Sequence, residues 1–326
     1  MILYFNTAPA PHIRRTESAS MISVDVLFIM IPLCIFSAIY YGFRPTIMIL
    51  AGIASAMLCE LLACVIMRRS PTLHDGSAAV TGALIGAAMS PMTAYWVPML
   101  GAAFAILVVK IPLGGNGRCP FNPAAAGLAV LTLCFSHRLF MYPHHRLDAM
   151  LPLSPGTADV FTESSLASLL MTGGKPMYNP GSLFIGEFAG PIGATAIGVL
   201  LAVFLYLVIR RSASFSITVS YLATCLALAL IFPRTEPGFG GALVELCSGY
   251  LLFCGVFLVN DLYTAPKYWV ARILYGACAG ALVMLLRHSG QFQEGACFAV
   301  LIVNAFSSLF DRICWYAVGF RRRIRE

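Results

Sequence analysis

Residues 46–66, TIMILAGIASAMLCELLACVI, decide which solvent this chain is built for. The run is unbroken, apolar and as long as a helix must be to cross the ~30 Å hydrocarbon core of a bilayer. Its one charge is Glu60, in Leu58-Cys59-Glu60-Leu61-Leu62. A carboxylate at that depth costs several kcal/mol unless it faces a polar cavity or a partner, so a functional role is the default reading for it.

Apolar runs recur on either side, at roughly 23–42, 77–91, 95–110, 121–136, 190–209, 214–232, 242–260, 269–286 and 295–313, several of them broken by Pro or Gly. Hydrophobic residues make up 59% of the 326 and charged residues 11%, against about 25% in soluble domains, and mean hydropathy is +0.84. The fold class that follows is an all-α polytopic membrane protein with about ten transmembrane helices. The first residues carry Arg14 and Arg15 and show no signal-peptide pattern, and the first apolar run is long enough to span rather than to be cleaved.

With the N-terminus inside, the outer side keeps Arg44, Arg138, Arg146, Lys175, Arg234 and Arg287, and the other fifteen of the 21 Lys and Arg fall inside. That bias places both termini in the cytoplasm and the long loop at 137–189 outside. Five spans on each side of this loop force the halves into opposite orientations, the arithmetic of two inverted five-helix repeats. Ala129-Val130-Leu131 and Ala299-Val300-Leu301 occupy matching places in them. The expected organisation is a cytoplasmic segment 1–22, a first repeat 23–136, the outer loop 137–189, a second repeat 190–313 and a basic cytoplasmic tail 314–326.

Residues 114–127 combine Gly114, Gly115, Gly117 and Arg118 with an Asn122-Pro123 entry into a helix of small residues. Glycines allow close backbone approach and the first N–H groups of a helix favour anionic or acceptor atoms, which points to a binding loop rather than a plain connector. Asp261 closes the eighth span and Asp75 opens the third. Asp261 fits an ion path or the end of a helix; Asp75 fits the same path or an ordinary N-cap. Asp25 and Asp311 lie near span ends, where they can cap or snorkel.

The net charge of +7 is not a nucleic-acid signal, because the basic residues cluster at helix ends. Eleven cysteines include no CxxC pair, and the six histidines fall outside or at the ends of the apolar runs, so no metal site is expected. The outer stretch 154–169 is rich in hydroxyls around Asp159 and reads, by composition, as a solvated loop running into a short amphipathic helix.

The glycine-rich loop with Phe121-Asn122-Pro123-Ala124 resembles the signature of the membrane subunits of flavin-based ion pumps. These are the D-type subunit of the Rnf electron-transport complex and the B-type subunit of the sodium-translocating NADH:quinone reductase. Pro11-His12 with the basic pair, Asp75 to Gly82, Phe257 to Pro266, and Glu294-Gly295 through Asn304 to Asp311 resemble further family segments in the same order. The length and the short N-terminal segment are closer to the Rnf D-type subunit.

The resemblance implies a ten-helix, two-repeat fold with FMN esterified to a Thr in an outer-loop pattern Asp-x-x-Ser/Thr-Gly-Ala-Thr. From Asp159 this chain reads Asp-Val-Phe-Thr-Glu-Ser-Ser, so Ser165 takes the acceptor place, with Thr162 and Ser164 as alternatives. Gly190-Pro191-Ile192-Gly193-Ala194 and Asn260 also depart from the family's residues. It further implies electron passage between flavins coupled to Na+ or H+ movement, with Glu60, Asp261 and Asp75 on the ion path. A second, non-covalent flavin such as riboflavin would sit at Gly114–Pro123. The partners would be the other subunits of an Rnf-like complex, including a flavinylated extracytoplasmic one, with membrane lipid around them in the bacterial cytoplasmic (inner) membrane. A non-redox transporter or channel, or a membrane anchor subunit, on the same fold is the competing reading.

Overall fold

The computed structural model describes residues 19–68, 73–115, 117–143, 162–163, 165–174, 180–234, 238–261, 263–289 and 293–323. Asp159 and Ser164 lie outside them. The described chain is helical except for one antiparallel pairing of two-residue strands, β1 (Tyr142–Pro143) with β2 (Thr162–Glu163). The first half comprises α1 (Ala19–Tyr41), α2 (Arg44–Ile66), α3 (Ser77–Ala87), α4 (Trp96–Phe104, continued by a π-helical stretch Ala105–Lys110) and α5 (Pro123–Leu139). Short α6 (Leu166–Met171) and α7 (Pro180–Ile185) lead to the second half. It comprises α8 (Ile197–Ile209), α9 (Phe215–Ile231), α10 (Phe239–Cys247), α11 (Leu251–Phe253, continued by π-helical Cys254–Leu258), α12 (Trp269–His288), α13 (Ala296–Ala305) and α14 (Ser307–Arg323).

Each of the ten apolar runs finds a helix in its place. By length and composition, though, only three described helices can cross a membrane, α1, α2 and α12, or up to five when the bent pairs α10–α11 (70°) and α13–α14 (47°) each count once. The other apolar helices are 10–17 residues long. The end of α3 and the start of α8 lie at Pro- or Gly-bearing segments that stay inside the protein. Residues 186–196 are the clearest case. Mostly buried and non-helical, they donate from Ile192 N to Met89 O (3.0 Å) and from Gly193 N to Ala87 O (2.7 Å). Irregular backbone is tolerated at membrane depth only when protein satisfies it in this way. Large apolar side chains such as Ile66, Ile39, Ile209 and Leu285 are exposed along the helices, as a surface facing lipid hydrocarbon requires.

Each half is held together by the same device. Gly82 and Gly86 bring α3 onto α2 so closely that a Cβ at 82 would collide with the backbone of Gly52. Gly276 and Gly280 bring α12 onto α9, where a Cβ at 276 would lie 2.5 Å from Ile217 O. Small residues spaced four apart allow such packing where lipid supplies no hydrophobic drive between helices.

Asp25 and Asp311 have structural work. Asp25 accepts from Arg210 Nη2 (3.0 Å) and Ser212 Oγ (3.0 Å), joining α1 to the α8–α9 turn. Asp311 accepts from the backbone N–H groups of Lys267 and Tyr268 ahead of α12. The residue capping α3 is Gly76, with φ +65° and no side-chain cap, so Asp75 is not the N-cap its position suggests.

Candidate functional site

Asn122 is the hinge-pin of the site. It is buried, caps α5 by accepting from Ala124 N (2.9 Å) and Ala125 N (3.3 Å), and precedes Pro123 at the first helical position. Asn then Pro is a strong helix start, since the side chain satisfies free N–H groups and the ring presets φ. Its remaining group, Nδ2, donates to Leu258 O (2.9 Å) in the π-helical end of α11, so one side chain joins the two halves.

Beside it lies a cavity of about 100 Å3 whose walls come from α1, α3, the start of α5, the α8–α9 turn and the end of α11. Its polar lining includes Ser77, Lys110, Asn122, Asn260, Asp261 and Tyr263; Leu84, Val256 and Phe257 line it on the apolar side. Such a volume holds a few water molecules or a small hydrated cation, and lies well below the ~300 Å3 at which pockets for organic cofactors begin. Two walls contain the π-helical stretches, a geometry that recurs at functional sites.

Glu60 is buried, but it does not itself line this cavity. Lys110 does, and its Nζ donates to Glu60 Oε1 (2.8 Å) and to Ser77 Oγ (2.7 Å). The carboxylate expected on an ion path therefore has a resident ammonium, which stands between it and the cavity. In the sequence Lys110 is only a basic residue at a span end. The available signal is that a carboxylate in one span calls for a cation in another.

The glycine-rich loop turns back on the end of the π-helical stretch, Gly115 N donating to Lys110 O (2.8 Å). Gly114, Gly115 and Gly117 all take positive φ (+110°, +77° and +84°). A Cβ at 115 would meet no protein atom, and one at 117 would only touch the Tyr263 ring at 3.8 Å, so within the chain itself it is the positive φ that calls for glycine here. Arg118 is exposed. Asp75 and Asp261 both act on Tyr263, whose phenol is pushed above its ordinary value by burial first and by these two carboxylates next. Asn260 donates to Thr218 Oγ1 and to the carbonyls of Gly255 and Val256, and accepts from Ser214 N. It knots α11 to α9. The structure thus brings Asn122, Pro123, Gly117, Asp261 and Asp75 to one end of the bundle, with Glu60 just behind them.

A second buried ionic group, with no counterpart in the sequence reading, sits at the far end of α12, about 27 Å along the helix from its start. Arg287 is only 1% exposed. It donates to Glu294 Oε2 (3.0 Å), Ser248 Oγ (2.7 Å), Ser248 O (2.9 Å) and Glu245 O (3.2 Å). Arg234 Nε lies 3.5 Å from Glu245 Oε1. Arg234 and Arg287 read in the sequence as outer-side charges; Arg287 is interior.

Ser165 is 3% exposed, and its Oγ caps α6 by accepting from Ser168 N (3.1 Å). Thr162 lies in β2. Losing a cap costs only about 1 kcal/mol, so enclosure, not the hydrogen bond, is the obstacle to an ester there. In the described fold the Ser165 hydroxyl is enclosed at the start of α6, so an ester there requires α6 to be displaced or not yet packed. Among the described residues no group of three or more His, Cys, Asp or Glu is placed to hold a metal.

The NQR2, RnfD, RnfE family matches residues 6–318. The D-type subunit of a proton-translocating ferredoxin:NAD(+) oxidoreductase complex from Clostridium ljungdahlii is 28% identical over 94% of each chain. The D-type subunit of an ion-translocating oxidoreductase complex is 30% identical in Cronobacter sakazakii, over 95% of this chain and 97% of that one. The protein of the same description from Escherichia coli (strain SE11) is 27% identical over 95% and 96%.

Proposed function

The chain belongs to the NQR2, RnfD, RnfE family, and from that premise we propose that it is the membrane-embedded D-type subunit of an ion-translocating oxidoreductase complex. In this reading the protein moves Na+ or H+ through the cavity between its halves while partner subunits transfer electrons. The observation that carries it is the polar cavity at the junction of the halves, bounded by Asp261 and by the Lys110–Glu60 pair. An incoming cation meets Asp261 first and the Lys110 ammonium next, so passage requires Lys110 to leave Glu60. The glycine seam and the π-helical stretch found in each half support the ten-helix arrangement in two inverted repeats, and the Lys and Arg bias supports cytoplasmic termini.

Driven cation uptake by the assembled complex in proteoliposomes tests this. Losing one charge-assisted contact, about 1.5–3 kcal/mol, corresponds to about tenfold or more, so Asp261→Asn should reduce uptake by that factor. Normal uptake in Asp261→Asn overturns the cavity's role, and equal flux with no electron donor would instead favour a transporter or channel. Labelling of a single cysteine placed at Thr157 by an impermeant maleimide in intact cells checks the orientation.

A second reading, FMN carriage, is favoured by the spacing of Asp159, Thr162 and Ser165. It requires the phosphoester to form before α6 packs. In-gel fluorescence of the denatured chain, lost in Ser165→Ala and kept in Ser165→Thr, is what this reading demands. A dark wild-type band after co-expression with a competent flavin transferase removes it.

A further inference from the structure

We propose that Arg287 and Glu294 form the closed gate at the far end of the cation path, with Arg287 a tethered counter-ion that the passing monovalent cation displaces from Glu294. The inference rests on the ion-translocating reading above. Four charged side chains, Arg234, Glu245, Arg287 and Glu294, meet inside a protein built for a bilayer, where apolar packing would serve a purely structural contact at least as well.

Their hydrogen bonding is incomplete. Glu294 Oε1 and Arg287 Nε are buried with no hydrogen-bond partner, and Glu245 Oε1 has none beyond its 3.5 Å ion pair with Arg234 Nε. A locked structural network saturates its buried polar atoms, whereas one that must take and release an ion keeps oxygen capacity in reserve. Glu294 also adjoins a way out. Its chain neighbour Gln293 lines a hollow with Thr132, Leu133, Ser136, His137, Phe140 and Met141; Glu294 itself stays enclosed behind it, so the ion leaves only when the gate opens.

The cluster is wired to the cavity through a backbone break. Ser248 and Gly249 separate α10 from α11, and Gly249 (φ +59°) lies so close beneath the Glu294 carboxylate that a Cβ there would collide with it. From this break α11 runs back to the cavity, carrying the tilted ring pair Phe253 and Phe257 at 4.8 Å, and Phe257 is a cavity wall. A Glu294 that changes partner must shift against Gly249, and the break it presses on is the start of the helix that bears the rings. The plan repeats the near end: a basic residue ending a helix, Lys110 or Arg287, is paired with a carboxylate and a serine hydroxyl.

The test is passive flux of Na+ and of protons through the complete complex in proteoliposomes with no electron donor, followed by driven uptake. Arg287→Gln should raise passive flux of one of the two cations about tenfold, and Arg287→Lys should stay within about twofold of wild type. Glu294→Gln, which keeps the acceptor for Arg287 but not the charge, should assemble normally and lower driven uptake about tenfold. Wild-type passive flux in Arg287→Gln together with wild-type driven uptake in Glu294→Gln overturns the gate. Should Arg287→Gln fail to assemble, Glu294→Gln alone decides. A wild-type complex that drives no cation uptake overturns the underlying functional reading instead.

Discussion

The Lys110–Glu60 pair and the Arg287–Glu294 pair put opposite charges at nearly the same separation, 2.8 and 3.0 Å, and differ in what surrounds them. Lys110 forms part of a cavity wall, so water can reach the charge when the partner moves. Arg287 is enclosed and directs its donors to two backbone carbonyls and a serine as well as to Glu294. The lesson is that burial alone does not rank ionic pairs: the hydration open to the survivor does. A charge left beside a cavity can be rescued by solvent, and one left inside a closed shell cannot.

The sharpest way to break this contrast is to delete one partner of each pair, Glu60 in the first and Arg287 in the second. Arg287→Met should lower the unfolding free energy of the detergent-solubilised chain, read by SDS titration, by about 3–5 kcal/mol, because Glu294 is left charged and enclosed. Glu60→Met should cost less, about 1.5–3 kcal/mol, because the surviving charge, Lys110, lines the cavity and can be hydrated. Equal losses would erase the difference between the two ends. Asn122→Ala, which removes the cap of α5 and the bond to Leu258, should cost about 1–2 kcal/mol in the same titration. The smallest effect belongs to Gly115→Ala, at about 1 kcal/mol for the left-handed backbone alone, since no atom meets its Cβ. Gly249→Ala, with the same backbone cost plus displacement of Glu294, should exceed it clearly. If the two alanines are equivalent, Glu294 yields more readily than its packing indicates.

Much of this was legible from residue order. Uninterrupted apolar runs announced the membrane helices because a bilayer leaves few alternatives for such segments, and Asn122-Pro123 announced the start of α5 because its chemistry is local. The charges at depth were harder. Glu60 was visible as an anomaly, but Lys110 was not, because it sits 50 residues away and pairs only once the helices have packed. Arg287 reads as a loop charge beside Ser289 and Gly290, and only the fold turns it inward. The π-helical stretches carry no sequence mark, and Ser165 looked accessible because a hydroxyl-rich segment normally is. Helix length was harder to read for a related reason. Breaks such as 186–196 are apolar in composition, and only their backbone bonding shows that they are not helix.

The glycine seams have a mechanical consequence. Where α2 meets α3 and α9 meets α12, backbone lies against backbone, with no long side chains between to change rotamer. Each pair therefore behaves as a single stiff beam. Compliance is left to the short joints at 88–95, 186–196 and 248–250, so displacement at one face of the protein is delivered to the other as rotation of whole beams and not dissipated as side-chain repacking.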